Sequence, residues 1–256
     1  MSDELVRETL EIIRNLRPKS VNVPHEKQKL TKDELINMNH SLIANVFFYV
    51  DKVASYVPKF RLKYVGQSPN FKESVATIDD IDGKGNPVKK PLGPVGFSYE
   101  TQILSFAIKR KIAEERIAKE CIGVMNNGNI VEKLVSSLVT ISYALKKAVC
   151  ILQTCNIDDI ETAWAIYEDY CYLFLFDNAE GGNGITHLAF LELKEDLKSR
   201  QDLMETRLFK QISEILKQRC CPDVCEECLL LPRTPNHIVS LLDKRLGRIV
   251  LLGESN

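Results

Sequence analysis

The sequence predicts an α+β fold, predominantly helical: a helix bundle that carries a small antiparallel sheet. Three observations predict it. Apolar residues recur at steps of three and four through several long stretches. One stretch, from 59 to 110, alternates instead around a glycine turn. A hydrophobic content of 45% over 256 residues is enough to bury a real core without disulfides.

In chain order, Ser2 or Asp3 can cap a first helix with Leu5, Leu10, Ile13 and Leu16 on one face, ending before Pro18. Residues 18–30 read as a polar linker, so the expected organisation is an N-terminal helix and linker over 1–30 and a single domain over 31–256. Thr31 and Glu34 have capping-box spacing, and Leu35, Met38, Leu42, Val46, Val50, Val53 and Val57 follow at steps of three and four. That spacing predicts a strong helix closed by Pro58. Between 59 and 110, RLKYV, SVATIDDI, NPVKK and FSYETQILSFAI alternate around Gly83-Lys84-Gly85, which predicts strands and a hairpin.

Helical spacing returns from 111 to 153, most clearly through Val131, Leu134, Val135, Leu138, Leu145, Ala148, Val149 and Leu152. The aromatic run TAWAIYEDYCYLFLFD, 162–177, suits one or two buried strands. After the loop NAEGGNG a helical stretch runs from about 184 to 218 with a break near Arg200, and HIVSLLDKRLGRIVLL, capped by Asn236, predicts a last helix.

Charge and compartment narrow the function. A net charge of -1 and a pI near 6.5 argue against a free-standing protein that coats DNA, because neutralising phosphates needs surplus Lys and Arg, and leave room only for a local basic face. The N-terminus is acidic and amphipathic rather than signal-like, and no run of about 18 apolar residues occurs, so a cytoplasmic protein without membrane association is expected. In a reducing compartment thiols stay free or bind metal.

This bears on CCPDVCEEC, residues 220–228, where four of the eight cysteines fall together. Cys225 and Cys228 have the two-residue spacing that aims a pair of thiolates at one ion, which is half of a tetrahedral zinc site. Cys220 and Cys221 must supply the other half. Adjacent side chains point different ways, so the turn at Pro222 has to bring both round; failing that, His237 or Cys171 substitutes for one of them. A structural metal site ranks ahead of a redox dithiol or unligated thiols. Four sulfur ligands would close the site to water and fix the angle between the C-terminal helices on either side.

The second motif is YLFLFDNAEGGNG. Strand, glycine-rich loop and helix could cradle a phosphate, but the lysine and hydroxyl of a phosphate-binding loop are missing. The simpler reading is a tight turn in which Gly181, Gly182 and Gly184 supply positive φ and Asp177 accepts loop amides. An interaction loop is the remaining reading. His187 is expected to be a surface or packing residue rather than the partner of Asp177, and the basic run Lys109, Arg110, Lys111, Arg116 and Lys119, interleaved with Glu114 and Glu115, a solvated helix face.

Taken together, Asp177, Gly181, Gly182 and Gly184, then Cys221, Cys225, Cys228 and Leu229, then Leu242-Asp243-Lys244 resemble the pattern of the MrfA-type zinc-binding domain. That family occurs at the carboxyl end of many superfamily 2 helicases and in DrmB-like proteins of phage defence. SYETQILSF and SSLVTISYALKKAV resemble its upstream strand and helix, so the likeness covers roughly 97–252. The first cysteine, Cys220, adjoins Cys221 where the family leaves one residue between. The sequence has no phosphate-binding lysine loop and no helicase Asp-Glu-x-His box.

The resemblance implies zinc as cofactor, with Cys220, Cys221, Cys225 and Cys228 as ligands and the 177–184 loop as scaffold or contact surface. It further implies a non-catalytic accessory subunit of a separately encoded helicase or translocase in DNA repair or anti-phage defence, meeting DNA through the complex and taking no small-molecule substrate. Two alternatives stand beside it: an autonomous zinc-containing DNA-binding regulator, and a nuclease or hydrolase built on Asp177 and His187.

Overall fold

The computed structural model describes residues 35–57, 61–63, 73–75, 77–81, 85–91, 95–120, 127–200, 202–221, 224–232, 234 and 236–254. The expected first helix, the polar linker and the Thr31 cap lie outside the described residues. The chain divides into two compact units, one of Met1–Val21 with Lys52–Tyr99 and the other of Asn22–Asp51 with Glu100–Asn256.

In the first unit, β3 (Arg61–Lys63) pairs antiparallel with β4 (Glu73–Val75), and β5 (Thr77–Ile81) with β6 (Pro87–Pro91). The second pair is the hairpin that the glycine turn predicts. Gly85 takes φ 84°, a backbone open to glycine at no steric cost.

A five-stranded sheet carries the second unit, although two of its strands run on into residues of the first. Its strands are β1 (Leu35–Asn37), β2 (Ile43–Val57), β7 (Val95–Lys109), β8 (Ile160–Ile166) and β9 (Tyr170–Asp177), in the order β1-β2-β7-β9-β8. The aromatic run expected to give one or two strands forms both: β8 and β9 are an antiparallel hairpin, and β9 also pairs antiparallel with β7 from Ile103↔Phe176 to Lys109↔Tyr170. With neighbours on both edges and helices on its face, β9 is buried from Leu173 to Asp177.

The helix expected from Thr31 to Pro58 is corrected: over 43–57 the chain is strand β2, paired with β1 through Leu35↔Phe47 and Asn37↔Asn45. Its composition is the reason. Ile43, Val46, Phe47, Phe48, Tyr49, Val50 and Val53 are β-branched or aromatic, types that lose rotamer freedom in a helix and pack well on a pleated surface. Val50, on the buried stripe of the helical reading, is 53% exposed.

The helices are α1 (Arg110–Glu120), α2 (Asn127–Gln153), α3 (Ile185–Arg200), α4 (Arg207–Lys217), α5 (Asn236–Val239) and α6 (Lys244–Leu252). At the centre lies α2. It buries Leu134, Val135, Leu138, Val139, Ile141, Leu145 and Val149 against α4, α6, α1 and β8, so its long apolar stretch is a core surface, 72% buried inside the protein. The break expected near Arg200 separates α3 from α4. Thr206 caps α4 by accepting from the Phe209 amide at 3.4 Å.

The last helix is two pieces rather than one. Asp243 interrupts it as a new N-cap: its carboxylate accepts from the Leu246 amide at 3.0 Å, while its own amide donates to Thr140 Oγ1 on α2 at 2.8 Å. At the other end Gly253, φ 70°, closes α6, and Arg116 of α1 donates to the Val250 and Leu251 carbonyls at 2.6 and 3.2 Å. Arg116, read as part of a solvated basic face, is thus a C-terminal cap that ties α1 to α6.

Candidate metal centre

Cys220 and Cys221 follow α4, and Cys225 and Cys228 sit in the turn beyond. The turn is self-supporting. The amides of Cys228, Leu229 and Leu230 all donate to the Cys225 carbonyl, at 3.2, 3.0 and 2.9 Å, and the Cys225 amide donates to Cys228 Sγ at 3.3 Å. Leu229, fully buried, and Leu231 anchor the turn in the core. From α2, Lys147 donates to the carbonyls of Glu226 and Glu227 at 3.0 and 2.8 Å.

This folding brings all four sulfurs within 4.8 Å of one another. Cys220 to Cys221 is 3.8 Å, Cys220 to Cys225 3.4 Å, Cys221 to Cys228 3.6 Å and Cys225 to Cys228 3.7 Å. Zinc bound tetrahedrally at about 2.3 Å from each sulfur requires sulfurs about 3.8 Å apart. The donor set therefore fits zinc. The adjacent cysteines do converge, because Cys220 and Cys221 span one edge of the tetrahedron and each faces a different member of the Cys225, Cys228 pair. Cys171 lies elsewhere, buried in β9 opposite Ile108 and Ile166; the His237 side chain is outside the described residues.

The thiols are not equivalent. Cys225 is drawn down to about 7, first by the backbone amide of Cys228 and then by the Cys220 side chain. Cys220 is pushed up to about 12, first by its contact with Cys225. Burial also differs among them, from exposed Cys220 to fully enclosed Cys228. Against the enclosed side lies Lys244, with Nζ 3.4 Å from Cys221 Sγ and 3.5 Å from Cys228 Sγ.

The glycine loop is organised around Asp177, fully buried at the end of β9. Its Oδ2 accepts from the amides of Asn183 and Gly184 at 2.8 and 2.7 Å, its Oδ1 from the Thr186 amide at 3.0 Å, and its carbonyl from the Thr101 hydroxyl at 2.8 Å. The carboxylate thus occupies the amino end of α3 and satisfies its first amides. Gly181, Gly182 and Gly184 have φ of 78°, 79° and 86°. At Gly182 a Cβ would also come within 2.7 Å of Gln102 Cγ and 3.1 Å of Asp177 Oδ2.

His187 is exposed and stacks on Phe48, with ring centroids 4.6 Å apart. Its ring is a packing surface for β2, and three amides already hold the Asp177 carboxylate.

Comparison with known proteins places the centre. Residues 141–229, from the middle of α2 to just past Cys228, match the family model described as MZB, the MrfA Zn-binding domain. The likeness to the MrfA Zn-binding domain is one of this segment, 89 of the 256 residues. All four clustered cysteines fall inside it, and zinc is the cofactor that the domain and the sulfur geometry share. Among solved structures, the chain is similar to one described as the crystal structure of DUF1998 helicase MrfA bound to DNA, with 15% sequence identity and a TM-score of 0.43. The match covers 84% of this chain and 23% of that one. No curated protein matches the chain.

Two residues of the candidate metal centre escape sequence reasoning. Lys147 reads only as one charge on a helix, and Lys244 only as the third position of Leu-Asp-Lys. Neither has a local signal, because each meets the cysteine turn across many residues of chain. Asp243 did have one: an Asp directly before a helical run is a cap signal.

Proposed function

We propose that Cys220, Cys221, Cys225 and Cys228 ligate one zinc ion in a closed structural site. We further propose that the chain is a non-catalytic module acting with a separately encoded helicase or translocase on DNA, in repair or in defence against foreign DNA. The observation that carries the reading is the sulfur tetrahedron inside the MZB segment. Four thiolates fill the coordination sphere and leave no position for a reacting water. The ion then holds the end of α4 to the Cys225–Cys228 turn, which Lys147 fastens to α2 and buried Leu229 anchors in the core. A rigid body of this kind is suited to docking a motor. The domain takes its name from MrfA, a helicase whose structure is described as bound to DNA.

A second reading, an autonomous DNA-binding regulator, is favoured by one feature. An open groove of about 1260 Å³ runs beside Cys220 and Cys221, and among the described residues its charged lining is Lys217, Arg219, Lys244, Arg245, Arg248 and Asp243. Phosphodiester groups suit such a lining. Cations of this lining are already engaged, however, among them Lys217 with Glu254, Arg245 with Glu120, and Lys244 with the sulfurs. That favours DNA contact shared with a motor over tight binding by this chain alone.

Co-purification from the native host, with metal measured on the complex, separates the readings. The expected result is one zinc per chain and a helicase or translocase in the complex, with weak and salt-sensitive DNA binding by the isolated chain. A zinc-loaded chain that brings down no motor and binds DNA tightly alone overturns the accessory reading in favour of the regulator.

A further inference from the structure

Lys244 is the first residue of α6 and is only 8% exposed. Burying an ammonium is costly unless hydrogen bonds and an opposite charge compensate it. Its Nζ has four acceptors at hand: the Gln218 carbonyl at 3.1 Å, the Cys221 carbonyl at 3.5 Å, and the sulfurs of Cys221 and Cys228 at 3.4 and 3.5 Å. Two carbonyls supply hydrogen bonds but no net charge. The compensating charge has to come from the sulfurs.

The same balance holds from the other side. One zinc ion with four thiolates is a dianion, and its Cys228 corner is sealed from solvent. Among the described residues Lys244 is the ammonium in contact with two of these sulfurs. Its position is fixed from outside the centre: Asp243, the preceding residue, caps α6 and is held through its amide by Thr140 of α2. The backbone from which Lys244 projects is therefore set by the α2–α6 packing, and its Nζ then meets the Gln218 and Cys221 carbonyls and the two sulfurs.

We infer that Lys244 is a positioning residue of the metal centre, whose ammonium offsets the tetrathiolate charge and holds Cys221 and Cys228 on the ion. This rests on the zinc reading above. It assigns the centre two unlike edges. The inner pair, Cys221 and Cys228, is charge-compensated and hydrogen-bonded, and the outer pair, Cys220 and Cys225, lacks the ammonium. Loss of the ion begins at the outer pair, and Lys244 sets how far it proceeds. Partners of metal ligands typically change metal affinity 10- to 100-fold when removed.

The test compares the full chain with Lys244→Met, Lys244→Gln and Lys244→Arg. Zinc content is measured as purified, and zinc transfer to excess 4-(2-pyridylazo)resorcinol is followed in time. The cobalt-substituted forms report the sulfur-to-metal charge-transfer band. With Lys244→Met the expected result is zinc loss about 10- to 100-fold faster and a band at lower energy, because sulfurs stripped of their hydrogen bonds give up charge more readily. Lys244→Arg restores retention and band position, and Lys244→Gln, a donor without charge, falls between.

Should Lys244→Met not fold, the Gln and Arg variants carry the comparison. Retention and band position in Lys244→Gln equal to wild type overturn the inference. A wild-type chain that binds no zinc gives a different result, the failure of the zinc reading itself.

Discussion

The cysteine turn and the Asp177 loop solve one problem in two ways. Each must hold a non-repetitive segment against the helical core and satisfy its backbone groups. At the loop a single buried carboxylate accepts three amides, and glycines supply the backbone that lets those amides converge. At the turn the backbone gathers on the Cys225 carbonyl, while the side chains converge on a point where four sulfurs stand about one zinc–sulfur tetrahedron apart. The loop is complete with protein groups alone. The turn brings four thiols together with little apolar surface of its own beyond Leu229 and Leu231, and its stability is expected to depend on the ion.

The contrast is sharpest under chelation, the largest effect expected. Structural zinc contributes on the order of 10 kcal/mol in small zinc-dependent modules. A strong chelator should abolish hydrogen-exchange protection at Cys228, Leu229 and Leu230 and leave Asn183, Gly184 and Thr186 protected. If both regions loosen together, they do not differ in the way described.

Asp177→Ala probes the other side. It strands three amides around a buried position, which should cost roughly 3 kcal/mol or more, seen as a lower melting temperature. Zinc content should not change. A loss of zinc together with stability would tie the loop to the metal centre.

The glycines give a finer comparison. Gly182→Ala meets both a positive φ and the Gln102 side chain, and should cost roughly 2–3 kcal/mol. Gly184→Ala meets only the φ penalty, since nothing lies within 4 Å of its Cβ, and should cost about 1 kcal/mol. Chemical denaturation of the two variants checks the order.

The smallest effect concerns a third junction, between α3 and α4, where Asp196 accepts from the Arg207 amide at 2.8 Å and from its guanidinium at 3.1 Å. Burial pushes the Asp196 carboxyl up, but the Arg207 amide and then the guanidinium outweigh it, and the group titrates below the ordinary carboxylate range. A lowered folded pKa contributes stability that is present at neutral pH and is lost as pH falls through that value. Because the Arg207 side chain is half exposed, Asp196→Asn should cost only about 1 kcal/mol at pH 7. Below the folded pKa the cost should vanish, which thermal melts across an acid pH series would read.

Much of this was legible in the sequence because it is local. Cysteines two apart, an Asp before a glycine run, and a hairpin flanking a Gly-Lys-Gly turn are signals carried by neighbouring residues. From Val95 onward the alternation of strands and helices follows the periodicity. What misled was also local: the apolar residues from Leu35 to Val57 fall at helical steps by coincidence, while their β-branched and aromatic types specify strand β2. The roles of Lys147, Lys244 and Arg116 were not legible. Each acts on a backbone or sulfur group brought near only by the packing of α2, α6 and α1. Whether adjacent Cys220 and Cys221 can face one point is likewise set by the path of the chain into the turn.

The most direct measurement is the metal content and X-ray absorption spectrum of the purified chain. One zinc per chain is expected, with four sulfur neighbours at about 2.3 Å and no nitrogen or oxygen in the shell. Absence of zinc, or a shell in which nitrogen or oxygen replaces one of the sulfurs, would contradict it.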